Sequence, residues 1–185
     1  MFVCDNLTIQ TKYKTLINNL SFKVHSSLAL IGQSGSGKSL SLKAILNLNS
    51  KDLKTSCNIK ASFDYEDKNN ISFVPQNPFT SLSPMSTISH HFEVERKKQI
   101  ELISLVDLPS NILERFPSEL SGGQLQRIII AICLEKKTKL ILFDKQTTPL
   151  DFKSKKTVLD IIKKAQKEIG FLSIVVSHDI NSLYG

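Results

Sequence analysis

The sequence predicts an α/β fold: a parallel sheet with an antiparallel β flap near the N-terminus and an inserted helical lobe. Three observations carry this. Leu28–Ile31 is a short apolar strand, and three further runs, Ile71–Val74, Leu140–Phe143 and Ser173–Val176, have the mostly β-branched or aromatic content of buried parallel strands. Phe2–Ile9, Leu20–Val24 and Ile59–Tyr65 alternate with period two, clearest at Ile59, Ala61, Phe63 and Tyr65, as half-buried antiparallel strands do. Between residues 77 and 135 the apolar positions repeat with helical spacing.

Taken in order, the flap strands surround a glycine-rich loop that follows Leu28–Ile31. A helix starting near Lys38 then presents Leu42, Ala44, Ile45 and Leu46 on one face. Pro75, Pro78 and Pro84, with Ser81, Ser83 and Ser86, mark a loop before the helical lobe. Within the lobe, Ile100, Ile103, Leu105 and Val106 form one stripe, and Leu125, Ile128, Ile129 and Ile132 a second. Val158, Leu159, Ile161, Ile162 and Ala165 predict a surface helix packed on the sheet. The expected organisation is one domain over 1–185, with 1–76 and 136–185 forming the core and flap and 77–135 the helical subdomain.

Bulk properties narrow the class. With 41% hydrophobic and 22% charged residues the chain has the composition of an ordinary globular domain. Its longest apolar run, Ile128–Leu134, falls far short of the roughly 18 residues a spanning helix needs. The start, Met1-Phe2-Val3-Cys4-Asp5-Asn6, lacks the basic and apolar stretches of a secretion signal, so a cytoplasmic location is expected. Cys4, Cys57 and Cys133 are odd in number and widely spaced, and read as free thiols.

The formal charge is +7. Lysines 136, 137, 139, 153, 155, 156, 163 and 164 are locally dense, yet no aromatics interleave with them as a strand-binding groove requires. They read as a solvated basic face or one near anionic headgroups, and no nucleic-acid partner is expected.

Gly32-Gln33-Ser34-Gly35-Ser36-Gly37-Lys38-Ser39 fits the phosphate-loop pattern G-x-x-x-x-G-K-[ST] between a strand and a helix. Glycines let the backbone curl with positive φ and turn its N–H groups toward phosphate oxygens, aided by the positive helix end. Lys38 can reach the terminal phosphates and Ser39 is placed to coordinate Mg2+, so a nucleoside triphosphate is the expected ligand. Gln76, Asp144 and His178 each follow an apolar strand, and in open α/β sheets ligands sit beyond the carboxyl ends of strands. Asp144, rigidly held, suits Mg2+ coordination, as does Gln76 through its carbonyl. His90 and His91 are adjacent, lack the spacing of a ligand pair, and read as an exposed loop pair.

Leu120-Ser121-Gly122-Gly123-Gln124, followed by Leu125-Gln126-Arg127, resembles the signature of the ATP-binding cassette (ABC) family. Gln76 then resembles its Q-loop, Leu140–Asp144 its Walker B strand, Thr148-Pro149-Leu150-Asp151 its D-loop and His178 its switch histidine. The resemblance spans nearly the whole chain. It implies a P-loop NTPase (RecA-like) core, ATP and Mg2+ as cofactors, and a dimer in which Lys38 of one subunit and Ser121 of the other sandwich one ATP.

Phe73-Val74-Pro75-Gln76-Asn77-Pro78, Ser81-Leu82-Ser83-Pro84-Met85 and Phe116-Pro117-Ser118-Glu119 look most like importers of peptides and nickel. Gly35–Leu40, the short flap and the compact length point toward the nickel branch. The implied partners are a second ABC ATPase subunit, giving a heterodimer, two membrane permease subunits and, indirectly, a solute-binding protein. The implied place is the cytoplasmic face of the membrane, peripherally attached. An alternative is an ATP-binding ABC module with little turnover, serving regulation or a nucleic-acid or ribosome-associated process.

Three departures stand out. Lys145 occupies the position where the family has a glutamate that polarises water, and a lysine cation has no lone pair for that task at neutral pH. Gln146 replaces the usual proline. The site on this chain's own loop is therefore expected to bind ATP and hydrolyse it poorly, while its signature serves a partner's site. The adenine platform falls on Tyr13, with Thr11 and Lys12 equally in register. Finally, the chain ends at Gly185, soon after His178, so a shortened C-terminus is expected to leave the carboxyl edge incomplete.

Overall fold

A computed structural model describes residues 1–136, 138–144 and 152–177, without the side chains of 152–157. Lys145, Asp151 and His178 lie outside the described residues, as do Gln146 and the rest of the stretch expected to form the D-loop.

The period-two segments form an antiparallel sheet in the order β2-β1-β4, from β1 (Phe2–Gln10), β2 (Thr15–Val24) and β4 (Lys54–Ala61). Between β2 and β4 lie β3 (Ser27–Ile31) and α1 (Lys38–Ile45). The third flap strand ends at Ala61, so Phe63 and Tyr65 lie beyond it. They still pack, partly buried, against the cluster beneath the flap, and their alternation reflects burial without ladder pairing.

The apolar runs form a parallel sheet in the order β3-β7-β6-β5, with β5 (Ile71–Val74), β6 (Leu140–Phe143) and β7 (Leu172–Ser177). Period-two geometry splits β6 between two cores. Leu140 and Leu142, with Ile174 and Val176, face α1 and the flap, where Phe2, Leu7, Ile9, Leu42 and Ile45 are buried. Ile141 and Phe143, with Val175, face α2 (Arg96–Leu105), α3 (Gly122–Glu135) and α4 (Phe152–Ile169). The two packed layers bury β6 throughout and β7 almost throughout, and these central strands read as continuous apolar runs, whereas the edge strand β3 alternates exposed and half-buried residues, with Ile31 41% exposed.

The helical lobe deviates from expectation at one position. In α2 the buried residues are Gln99, Leu102 and Ile103, while Ile100 is 41% exposed. Gln99 displaces it because its amide donates to the Val94 carbonyl and its Oε1 accepts from Ser89 Oγ, which satisfies a buried polar group. In α3 the apolar stripe is deeper, with Leu125, Ile128, Ile129 and Ile130 all buried. No helix among the described residues is long and apolar enough to cross a membrane.

Candidate functional site

β3 delivers the chain to a loop whose shape depends on two glycines. Gly35 has φ 81° and Gly37 φ 89°, both in the region that L side chains avoid. Gly37 also caps α1, which has no side-chain cap on its first turn, and a Cβ there would meet Ile17 Cδ1 and Cγ1 at 3.0 Å. The flap therefore rests directly on the phosphate loop.

Lys38 is 9% exposed and its ammonium turns back across that loop. It donates to the carbonyls of Gly32 and Gln33, each at 2.6 Å, and to Ser36 Oγ at 2.9 Å. A positive charge is thus held at the centre of the curl, where a phosphate oxygen is a stronger acceptor than a neutral carbonyl.

One residue on, Ser39 Oγ donates to Asp144 Oδ1 at 2.6 Å, although 105 positions separate them. The backbone explains the placement. The Asp144 N–H donates to the Val74 carbonyl at 2.9 Å, extending the β5–β6 ladder one step past Phe143, so the carboxylate is fixed as it leaves the sheet. At 7% exposure it is a buried anion served by a hydroxyl. Two hard oxygens side by side, one anionic, are the donor set a small divalent cation takes alongside phosphate, so these residues fit Mg2+.

Gln76 is exposed on the loop leaving β5 and makes no side-chain hydrogen bond among the described residues. The next residue, Asn77, caps a short 3₁₀ turn, Pro78–Thr80, by accepting from the Phe79 N–H. Tyr13 is 96% exposed in the β1–β2 turn. There Thr11 Oγ1 is used internally, accepting from the Tyr13 and Lys14 N–H groups, which leaves the tyrosine ring as the large apolar surface of that turn.

Ser121 caps α3 with a reciprocal box: its Oγ accepts from the Gln124 N–H at 3.3 Å and its own N–H donates to Gln124 Oε1 at 3.0 Å. Buried Leu120 anchors the approach, and Gly122 and Gly123 form the first turn. Arg127, quoted in the sequence only as part of the stretch after the signature and given no role there, ties this turn to the end of α2. It donates to the Gly123 carbonyl at 3.4 Å and to the Asp107 carbonyl at 2.9 Å. Its place one helical turn after Gly123 is the signal that could have given it that role.

Of the histidine pair, His90 is exposed and bonds Thr87 Oγ1 at 2.7 Å through Nδ1. His91 differs from the expected exposed loop residue: it ends the turn Ile88–His91 half-buried, with a buried Nε2 that has no hydrogen-bond partner among the described residues. A cavity of about 270 Å³ between β3 and α4, lined by Leu28, Ile31, Leu159, Ile162 and Gln166, contains none of the phosphate-loop donors.

A strand, a glycine curl with an inward lysine, and a serine paired with a strand-end carboxylate define a P-loop NTPase fold with an inserted helical lobe. The chain belongs to the ABC transporter family, whose profile matches residues 17–148. It is 30% identical over 188 residues to the oligopeptide transport ATP-binding protein OppD of Bacillus subtilis, covering 83% of this chain and 51% of that one. It is 26% identical over 190 residues to the nickel import ATP-binding protein NikE of Shigella boydii, covering 91% and 71%. The chain spans about half the length of the oligopeptide relatives it matches. Among solved structures, the dimeric ATP-binding cassette MJ0796, in a post-hydrolysis state bound to ADP and Pi, superposes with TM-score 0.76 at 26% identity, covering 98% of this chain and 90% of that one.

Proposed function

We propose that this chain is the ATP-binding and ATP-hydrolysing subunit of an ABC importer, coupling nucleotide binding to uptake of nickel or peptides through membrane partners. The observation that carries the reading is the Ser39–Asp144 pair at 2.6 Å beside the inward-turned Lys38. Phosphate-binding and cation-binding groups then occupy one crevice at the carboxyl ends of β3 and β6. Bound Mg2+ would neutralise charge on the phosphates. The chain's own residues do the rest. Loop amides and Lys38 grip the polyphosphate, Ser39 and Asp144 hold the cation, and Gln76 senses the site from the start of the helical subdomain, 77–135. Tyr13 stacks on the adenine.

The second half of the reading is dimeric. Ser121 and the first turn of α3 form a helix N-terminus suited to the terminal phosphate held by a second ABC ATPase subunit, so binding closes the pair. Two permeases, and indirectly a solute-binding protein, complete the assembly on the cytoplasmic face of the membrane. Relatives described as oligopeptide transport and nickel import proteins support this assignment. Lys145 stands where a general base is needed, and we read the chain's own site as slow to hydrolyse. Asp151 and His178 keep the D-loop and switch roles that the motif order gives them.

Calorimetric titration with ATP in the presence and absence of Mg2+ tests the reading. Magnesium-dependent heat that disappears in Lys38→Ala is expected; its absence in the unmodified chain would overturn the assignment. Unchanged affinity in Tyr13→Ala would remove the stacking role alone.

A further inference from the structure

The three cysteines, unremarkable in sequence, are not equivalent in space. Cys4 in β1 and Cys57 in β4 stand with their Sγ atoms 2.9 Å apart, although 53 positions separate them. The β1–β4 register explains the meeting. Asp5 pairs with Asn58 and Thr8 with Ser56, so the ladder is irregular across this stretch, and Asn6 adopts φ 58°. The irregularity turns Cys57 toward Cys4 under the flap. Cys4 is fully buried and Cys57 half-buried, so a reagent from solvent meets Cys57 first. Cys133 is buried in the other core cluster, away from both.

We propose that Cys4 and Cys57 are an oxidisable dithiol that a small-molecule disulfide, such as oxidised glutathione, converts to an intramolecular disulfide. In the first step the Cys57 thiolate attacks one sulfur of the reagent, forming a mixed disulfide and expelling one glutathione thiolate, which takes up the proton Cys57 lost. In the second, the Cys4 thiolate attacks the Cys57 sulfur, forming the Cys4–Cys57 bond and expelling the second glutathione thiolate, which takes up the Cys4 proton. The protein loses two protons and two electrons and the reagent leaves as two thiols.

The order of attack follows from the surroundings. Burial pushes the Cys4 thiol well above the usual cysteine range, with the hydrogen bond and charge of Cys57 adding to the rise. Capping Cys57 removes the contribution of its charge just when Cys4 must ionise. Burial also pushes the Cys133 thiol up to about 12, which makes it an internal reference.

The test is incubation of the folded chain with oxidised glutathione, acid quenching, alkylation and non-reducing peptide mapping. The expected result is a Cys4–Cys57 linked peptide lighter by two hydrogens, reversed by dithiothreitol, with Cys133 recovered as the alkylated thiol. A persistent glutathione adduct on Cys57 without linkage, no reaction, or Cys133 reacting as fast as Cys57 would overturn the proposal. In Cys4→Ser the glutathione adduct on Cys57 should accumulate, and an unmodified Cys57 would overturn the order of attack. The wild-type peptide map stands whether or not that variant folds. Neither readout depends on nucleotide, so failure here is separate from failure of the importer reading.

Discussion

Ser39 and Asp144 hydrogen-bond at 2.6 Å across the carboxyl end of the parallel sheet, the serine from the helix after β3 and the carboxylate from the end of β6. The bond pre-organises the proposed cation site, because Asp144 is fixed by the β5–β6 ladder and Ser39 by the first turn of α1. Ser39→Ala should lower the stability of the nucleotide-free chain by about 1.5–3 kcal/mol, the range for a hydrogen bond to a charged group. Asp144→Asn should abolish the Mg2+ dependence of ATP binding. Urea midpoints and paired titrations with and without Mg2+ check these outcomes, and additive effects in the double variant would contradict the coupling.

Gly35 and Gly37 separate backbone strain from contact. Both have positive φ, so an alanine at either costs about 1–2 kcal/mol from the left-handed conformation alone. Only Gly37 also faces a neighbour, Ile17 of β2, at 3.0 Å; a Cβ on Gly35 meets nothing within 4 Å. Gly37→Ala should therefore be the more destabilising, and equal denaturant midpoints for the two variants would show that the flap yields freely.

Tyr65 joins the flap to the end of the phosphate-loop helix: its hydroxyl donates to the Ile45 carbonyl, and its ring lies 6.0 Å from that of Phe2. Tyr65→Phe should cost about 1 kcal/mol. Burial, with charge from Cys57 and Cys4, pushes the phenol up to about 12. The unfolded chain then ionises first, near pH 10, so this contribution is whole below about pH 10 and is lost as pH rises toward 12. Stability measured between about pH 9 and pH 11 should fall more steeply in the wild type than in Tyr65→Phe.

Lys145 gives a prediction that rests on sequence. If the missing carboxylate limits turnover, Lys145→Glu should raise the hydrolysis rate by roughly 10²- to 10⁴-fold with little change in ATP affinity. Steady-state phosphate release checks it, and equal rates in the two proteins would reject the role.

The phosphate loop, the parallel strands and the signature helix were legible in the sequence because each rests on local chemistry. Glycine permits the positive φ of Gly37, a buried strand must be apolar on both faces, and Ser121 with Gln124 closes a capping box within four residues. Ile100 escaped for the converse reason. Its exposure follows from the partners Gln99 finds at Ser89 and Val94, and periodicity carries no record of such partners.

The sequence by itself determined that a glycine curl carrying Lys38 and Ser39 sits between a short apolar strand and a helix, because φ preferences and hydrophobic spacing are properties of neighbouring residues. Only the tertiary structure decided that Asp144 meets Ser39, that Ile17 presses on Gly37, and that Cys4 meets Cys57. Those encounters depend on which strands lie side by side and in what register. Strand order is set by the packing of two cores on one sheet, a long-range balance that no local pattern encodes.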